Sequence, residues 1–199
     1  MADVTWTHPA LPSILDAIPL SFESLIDLGC GRGIIGALCR IYRDPTYLVG
    51  LDSHGPSVEF CRSHGFYDEC MVQDLRDLPL QFRNNEFEVA TCIEVVEHLA
   101  REAGERLIGE IERIARVSVI TTPNIFSEQP EYDENPDQQH ISRWFPRDFR
   151  LRGYRVYGVG DMVFAGRTIR YLSRGLAPVT KRVPALSSLL LCVKEGGHA

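Results

Sequence analysis

The sequence predicts a doubly wound α/β domain, in which a mostly parallel sheet carries helices on both faces. Three observations support this. Short apolar runs alternate with helical patterns along most of the chain. The apolar runs are continuous, as in strands covered on both sides, and do not alternate with polar residues as half-exposed strands do. The first run leads straight into a glycine-rich turn that opens a helix.

In order along the chain, SLIDLG at 24–29 reads as a buried strand, followed by the turn and by IIGALCRIYR with helical apolar spacing. TYLVGLD at 46–52 is the second strand, and SVEFCRSHG at 57–65 the second helix, closed by Gly65. YDECMVQD at 67–74 and FEVATCI at 87–93 are the third and fourth strands. Residues 99–116 are amphipathic, with Leu99, Ala103, Leu107 and Ile111 recurring every four residues. VSVITTPN at 117–124 is the fifth strand. FPRDFRLRG at 145–153 predicts a helix with proline in its first turn. YRVYGVG at 154–160 and LSSLLLCVK at 186–194 complete seven strands. No tight helical crossover joins these two, so the last is expected to run antiparallel.

The 199 residues fit one domain. No stretch approaches the roughly 20 apolar residues of a membrane span. The start, MADVTWTHPALPSIL, lacks the basic and apolar regions of a signal peptide. Six cysteines scattered without a CxxC pair suggest reduced, buried thiols in a cytoplasmic protein, with neither a disulfide framework nor a zinc site. Net charge is −6, unevenly spread. Residues 1–139 carry 10 basic and 24 acidic side chains; residues 140–182 carry 10 and 2, nine of the ten being arginine. A basic segment of this kind suits an anionic partner or pairs with the protein's own acidic face. Two stretches interrupt the alternation. The polar segment 127–144 reads as a functional loop, and 162–184, apolar and basic together, as a helical cap.

In LIDLGCGRGIIG, glycines let the backbone approach a ligand at the head of a helix. Asp52 ends the next strand, 21 residues after Gly31, where a carboxylate accepts ribose hydroxyls. This pattern specifies an adenosine-containing cofactor. GRGIIG also fits the dinucleotide fingerprint. However, Asp27 just before the turn would repel a pyrophosphate, whereas it would attract the amino group of an amino-acid-bearing cofactor.

DLGCGRG, Asp52 after the second strand, and VQDL at 72–75 resemble the class I S-adenosylmethionine-dependent methyltransferases over about residues 20–160. That resemblance implies a Rossmann-like seven-stranded sheet with an antiparallel last strand, and an N-terminal lid in residues 1–20. It further implies that Gly29, Gly31 and neighbouring backbone hold the methionine part of the cofactor, with Asp27 toward its amino group. Asp52 binds the ribose, and Asp74 and Leu75 frame the adenine. Cys30, Gly33, Ser53 and Ile93 complete the cofactor-contacting set.

CIEVVEHL, at the end of the fourth strand, places Glu94, Glu97 and His98 at the expected cleft. Three readings stay open. The residues form a solvated helix start; His98 and Glu94 act as acid and base on an acceptor hydroxyl, together with His140; or Glu94, Glu97, His98 and His140 bind a metal. ExxEH with TTPN and a later histidine resembles both small-RNA 2′-O-methyltransferases and ubiquinone-pathway O-methyltransferases, the former implying Mg or Mn. The expected activity is O-methylation of a small-molecule or lipid-like hydroxyl. RNA 2′-O-methylation is the alternative; a non-catalytic cofactor-binding protein and an NAD-dependent oxidoreductase are the readings from other classes.

Overall fold

The computed structural model describes residues 10–124, 138–164, 167–169 and 173–196. Trp6 and His8, and most of the 127–144 loop, lie outside them.

A short helix, α1 (Leu11–Ala17), precedes the sheet. The chain then runs β1 (Ser24–Leu28), α2 (Ile34–Tyr42), β2 (Tyr47–Asp52), α3 (Gly55–His64), β3 (Glu69–Val72), β4 (Phe87–Ile93), α4 (Arg101–Ile114) and β5 (Ala115–Pro123). It ends with α5 (Pro146–Arg150), β6 (Arg155–Phe164), β7 (Arg167–Ile169), α6 (Ser173–Arg182) and β8 (Ser187–Glu195). The sheet order is β3-β2-β1-β4-β5-β8-β6-β7. β3 to β5 are mutually parallel, and β8 runs antiparallel between β5 and β6.

Seven of these strands are those expected from the sequence. The difference lies in 162–184, where the predicted helical cap begins instead as a hairpin. β6 continues to Phe164, and β7 pairs back on it as an eighth, edge strand before α6 starts. DMVF is β-branched and aromatic enough to extend a strand whose partner, β8, is already in place.

Side chains along each strand alternate between two cores. Ile26, Ala90, Cys92 and Ile120 pack with Leu107, Ile108, Ile111 and Ile114 of α4 on one face. Leu25, Val89 and Val119 pack with Ile14 of α1, Ile35 and Cys39 of α2 and Val58 of α3 on the other. At roughly 25 cal/mol per Å² of apolar area removed from water, these two layers are the main source of stability. The chain goes from β1 outward to β3, then returns to the other side of β1 as β4. The order therefore reverses between β1 and β4, which opens a crevice at their carboxyl ends, beyond Leu28 and Ile93.

Candidate active site

The glycine turn fills one side of this crevice. Gly29 N and Cys30 N both donate to Leu51 O, at 2.8 and 2.9 Å, so the turn is tied to the end of β2. Gly29 and Gly31 have φ of +76° and +50°, which L side chains rarely adopt. The space that a side chain would take at Gly31 is open, leaving the backbone bare toward the crevice. Asp52 accepts from Gly31 N at 2.7 Å through Oδ2 and from His54 N at 2.8 Å through Oδ1. Its carboxylate thus joins the glycine turn to the turn after β2. Ser53 follows it, exposed.

Asp27 is buried below the turn. Tyr67 Oη donates to its Oδ2 at 2.6 Å and Thr91 Oγ1 to its Oδ1 at 2.7 Å. Burial pushes the carboxyl up to about 6, although both hydroxyl donors act in the opposite direction. Asp27, 1% exposed, thus supports the turn from below. Tyr67 Oη also accepts from Gly36 N at 3.2 Å. The Tyr67 ring lies against Gly33, Gly36 and Gly50, where added methyl groups would meet it at 3.3, 2.5 and 3.0 Å. The last glycine of GRGIIG thus makes room for this ring.

In the turn after β3, Asp74 accepts from Arg76 N and Nε, each at 2.8 Å, and these bonds hold its carboxyl below the usual range. It shapes its own turn, and Leu75 is buried in the core beside it. Gln73 N donates to Asp52 O, which links this turn to the end of β2. Ile93, 7% exposed, ends β4 at the crevice wall.

The opposite wall begins at Glu94, a non-glycine residue held at φ +57°. Backbone strain of this kind occurs mainly at functional positions. Glu94 N donates to Thr121 O and Oγ1, both at 3.2 Å. Thr122 Oγ1 donates to Glu97 Oε2 at 3.1 Å. Glu94 Oε1 and Glu97 Oε1 are buried without a hydrogen-bond partner. Burial pushes Glu94 up to about 8, and burial together with the Glu94 charge also raises Glu97 well above the usual carboxylate range. Two buried carboxyls with unpaired oxygens are stable only if they are protonated or neutralised by a cation.

His140 comes to this wall from the distal part of the chain. Ligand atoms of Glu97, His98 and His140 all lie within 4.8 Å of one another. His98 Nδ1 is 3.1 Å from Gln139 O; with Nδ1–H donating there, Nε2 carries the lone pair. Ile141 N and Ser142 N donate to Glu97 O. Trp144, 1% exposed, donates from Nε1 to Val96 O at 3.2 Å and clamps the returning segment, with the Arg101 guanidinium 3.8 Å above its ring.

Several residues that build the site escape sequence reasoning. Tyr67 reads only as the start of a strand, and Thr121 and Thr122 only as part of TTPN. Trp144 reads as core. Their roles depend on contacts 25 to 48 positions away in sequence. The six cysteines are free and buried, and ligand atoms of Cys30, Cys61 and Cys70, scattered in sequence, lie within 4.8 Å of one another.

Residues 26–119 match a family described as methyltransferase domain. No curated protein sequence matches the chain. Among solved structures, the complex between the Haloferax volcanii Trm112 methyltransferase activator and a methyltransferase is similar, with 20% identity, TM-score 0.65, and 96% of this chain and 90% of that one covered. An S-adenosylmethionine-dependent methyltransferase from Mesorhizobium loti has 15% identity and TM-score 0.62, with 94% and 97% covered. The methyltransferase domain of bacterial CtHen1 has 19% identity and TM-score 0.59, with 94% and 95% covered. These chains share the fold. The family match runs from β1 to β5 and includes the glycine turn, Asp52 and the Glu94 corner, so this segment of the chain is similar to a methyltransferase domain.

Proposed function

We propose that the protein O-methylates a hydroxyl group of a small or lipid-like molecule, with a divalent cation at the acceptor side. The observation that supports this reading most is the meeting of Glu97, His98 and His140 beside two buried carboxylate oxygens that lack partners. The cluster lies at the carboxyl end of β4, across the crevice from the glycine turn.

The cofactor, when bound, supplies a methyl group on a positively charged sulfur, so the leaving group needs no acid. The residues present fit it. Gly31 presents open backbone, and Asp52 holds a carboxylate at the end of β2. Asp27 and Tyr67 keep the turn in place from below. The chain's task is to hold the acceptor oxygen in line and close, a contribution of up to about 7–11 kcal/mol in well-oriented systems.

A metal also fits. Glu97, His98 and His140 would hold it, Glu94 lying outside the group that comes together, and the mixed oxygen and nitrogen donors accept Mn or Mg as well as Zn. When bound it would favour the ionised acceptor hydroxyl. Thr121 and Thr122 orient the two carboxyls, Gln139 O fixes the His98 tautomer, and Trp144 keeps His140 in reach.

A second reading, transfer to a ribose hydroxyl of RNA, draws on one feature. Phe145, 36% exposed, has the guanidinium groups of Arg143 and Arg147 4.8 and 5.6 Å from its ring centre. Such layers suit stacked bases and phosphates.

The test is transfer from labelled S-adenosylmethionine to a panel of phenols, sugars, lipid-like alcohols and short RNAs, with EDTA and after Mn or Mg addition. We expect transfer to a hydroxyl, lost in EDTA and in Glu97→Gln and restored by metal. Transfer confined to RNA selects the second reading. Transfer to carbon or nitrogen, or undiminished transfer in both EDTA and Glu97→Gln, overturns the proposal.

A further inference from the structure

We propose that Cys30, Cys61 and Cys70 form a binding site for one thiophilic d¹⁰ metal ion, of the Cu(I), Zn(II) or Cd(II) class, directly behind the glycine turn. The three residues come from three elements. Cys30 lies between Gly29 and Gly31 in the turn, Cys61 in the last part of α3, and Cys70 in β3. Their sulfurs lie within 4.8 Å of one another, and Cys30 Sγ is 3.9 Å from Cys70 Sγ. Thiolates bound to zinc at about 2.3 Å are spaced roughly 3.8–4.0 Å apart in tetrahedral or trigonal geometry. The Cys30–Cys70 distance matches that spacing, and the third sulfur lies within 4.8 Å of both.

The chemistry of the donors selects the ion. The group is all sulfur, and soft thiolates favour Cu(I), Zn and Cd over Mg or Ca. Exposures of 6%, 0% and 5% place the group out of water. There, three thiolates require a cation, which supplies the charge that makes their ionisation favourable. Burial alone does not demand such grouping, since Cys39, Cys92 and Cys192 are equally buried outside it. Cys61 Sγ and Cys30 Sγ also donate to Gly31 O at 3.3 and 3.8 Å, so filling the site acts directly on the turn. The inference stands on this geometry and is independent of the acceptor proposed above.

The test uses the whole chain, reduced and under argon, titrated with Cd(II). We expect thiolate-to-cadmium charge-transfer absorption that saturates at one equivalent. The ¹¹³Cd NMR resonance of the unaltered protein should lie in the strongly deshielded region of sulfur coordination. That signal also separates this site from the Glu97, His98 and His140 cluster, whose oxygen and nitrogen donors give no thiolate band. Cys70→Ser, shown to be folded by its melting curve, should bind at least tenfold more weakly, and Cys39→Ser should bind as before. Absence of saturation at one equivalent, a cadmium resonance in the oxygen and nitrogen range, or unchanged binding in folded Cys70→Ser overturns the proposal. The NMR result on the unaltered protein decides the matter even if the Cys70 variant does not fold.

Discussion

Gly29 and Val95 are in contact across the crevice, so closely that a methyl group on Gly29 would sit 2.3 Å from Val95 Cγ2. Gly29 belongs to the cofactor turn, and Val95 follows Glu94 at the start of the acceptor wall. The two halves of the site therefore share a van der Waals boundary, and movement of one presses on the other.

Gly29→Ala is expected to weaken S-adenosylhomocysteine binding at least ~10-fold. An L residue at this φ costs roughly 1–2 kcal/mol, and Val95 must also move aside. Adding Val95→Ala should recover the steric part of the loss and leave the conformational part. Calorimetry on both variants measures the split; wild-type affinity in the single variant would refute the boundary.

Asp52 and Glu97 should separate cofactor binding from chemistry. Asp52→Ala removes the acceptor of two backbone N–H bonds. At about 1.5–3 kcal/mol for a charged hydrogen bond, cofactor affinity should drop roughly 10- to 100-fold. Glu97→Gln keeps the side-chain shape and should leave cofactor affinity within about twofold while lowering kcat by about 10²-fold or more. Equal losses of cofactor affinity in both variants would show that the two walls are not distinct.

Tyr67→Phe keeps the ring against its three glycines but removes the hydroxyl that joins Gly36 N to Asp27. Two buried polar groups lose a partner, a cost of roughly 1–3 kcal/mol. Denaturant unfolding should show this with an unchanged m-value.

Asp27 gives a pH signature. Its carboxyl is raised from 3.8 to about 6 on folding, so the folded state retains a proton that the unfolded chain has released. The stability it contributes is full below about pH 4 and is lost as pH rises toward 6. Relative to Asp27→Asn, the wild type should lose stability across that window and show no further relative change from this group above it. Unfolding at several pH values measures the difference; a difference that grows with pH would contradict the burial argument.

The fold was legible in the sequence wherever a single element carried its own pattern. The continuous runs of β1, β4 and β5, and the four-residue recurrence in α4, predict those elements to within about two residues. Helix α1 was not legible, because seven residues beginning Leu-Pro-Ser hold too few turns to show a period. β7 was not, because a three-residue strand exists only through its partner. The same distinction runs through the site. DLGCGRG and EVVEH are local and visible. The Tyr67 ring among three glycines and the thiol trio at 30, 61 and 70 arise only when α3 and β3 close over the turn.

Trp144 holds the returning segment to Val96 after the five parallel strands and the glycine turn are already complete in sequence. The molecule is therefore modular in an economical way. The part up to residue 124 carries the glycine turn, Asp52 and the Glu94, Glu97 and His98 wall, and the segment stapled by one indole adds His140 to that wall. Exchanging that segment between relatives, with the indole kept, offers a route to new acceptors that leaves the glycine turn and Asp52 untouched.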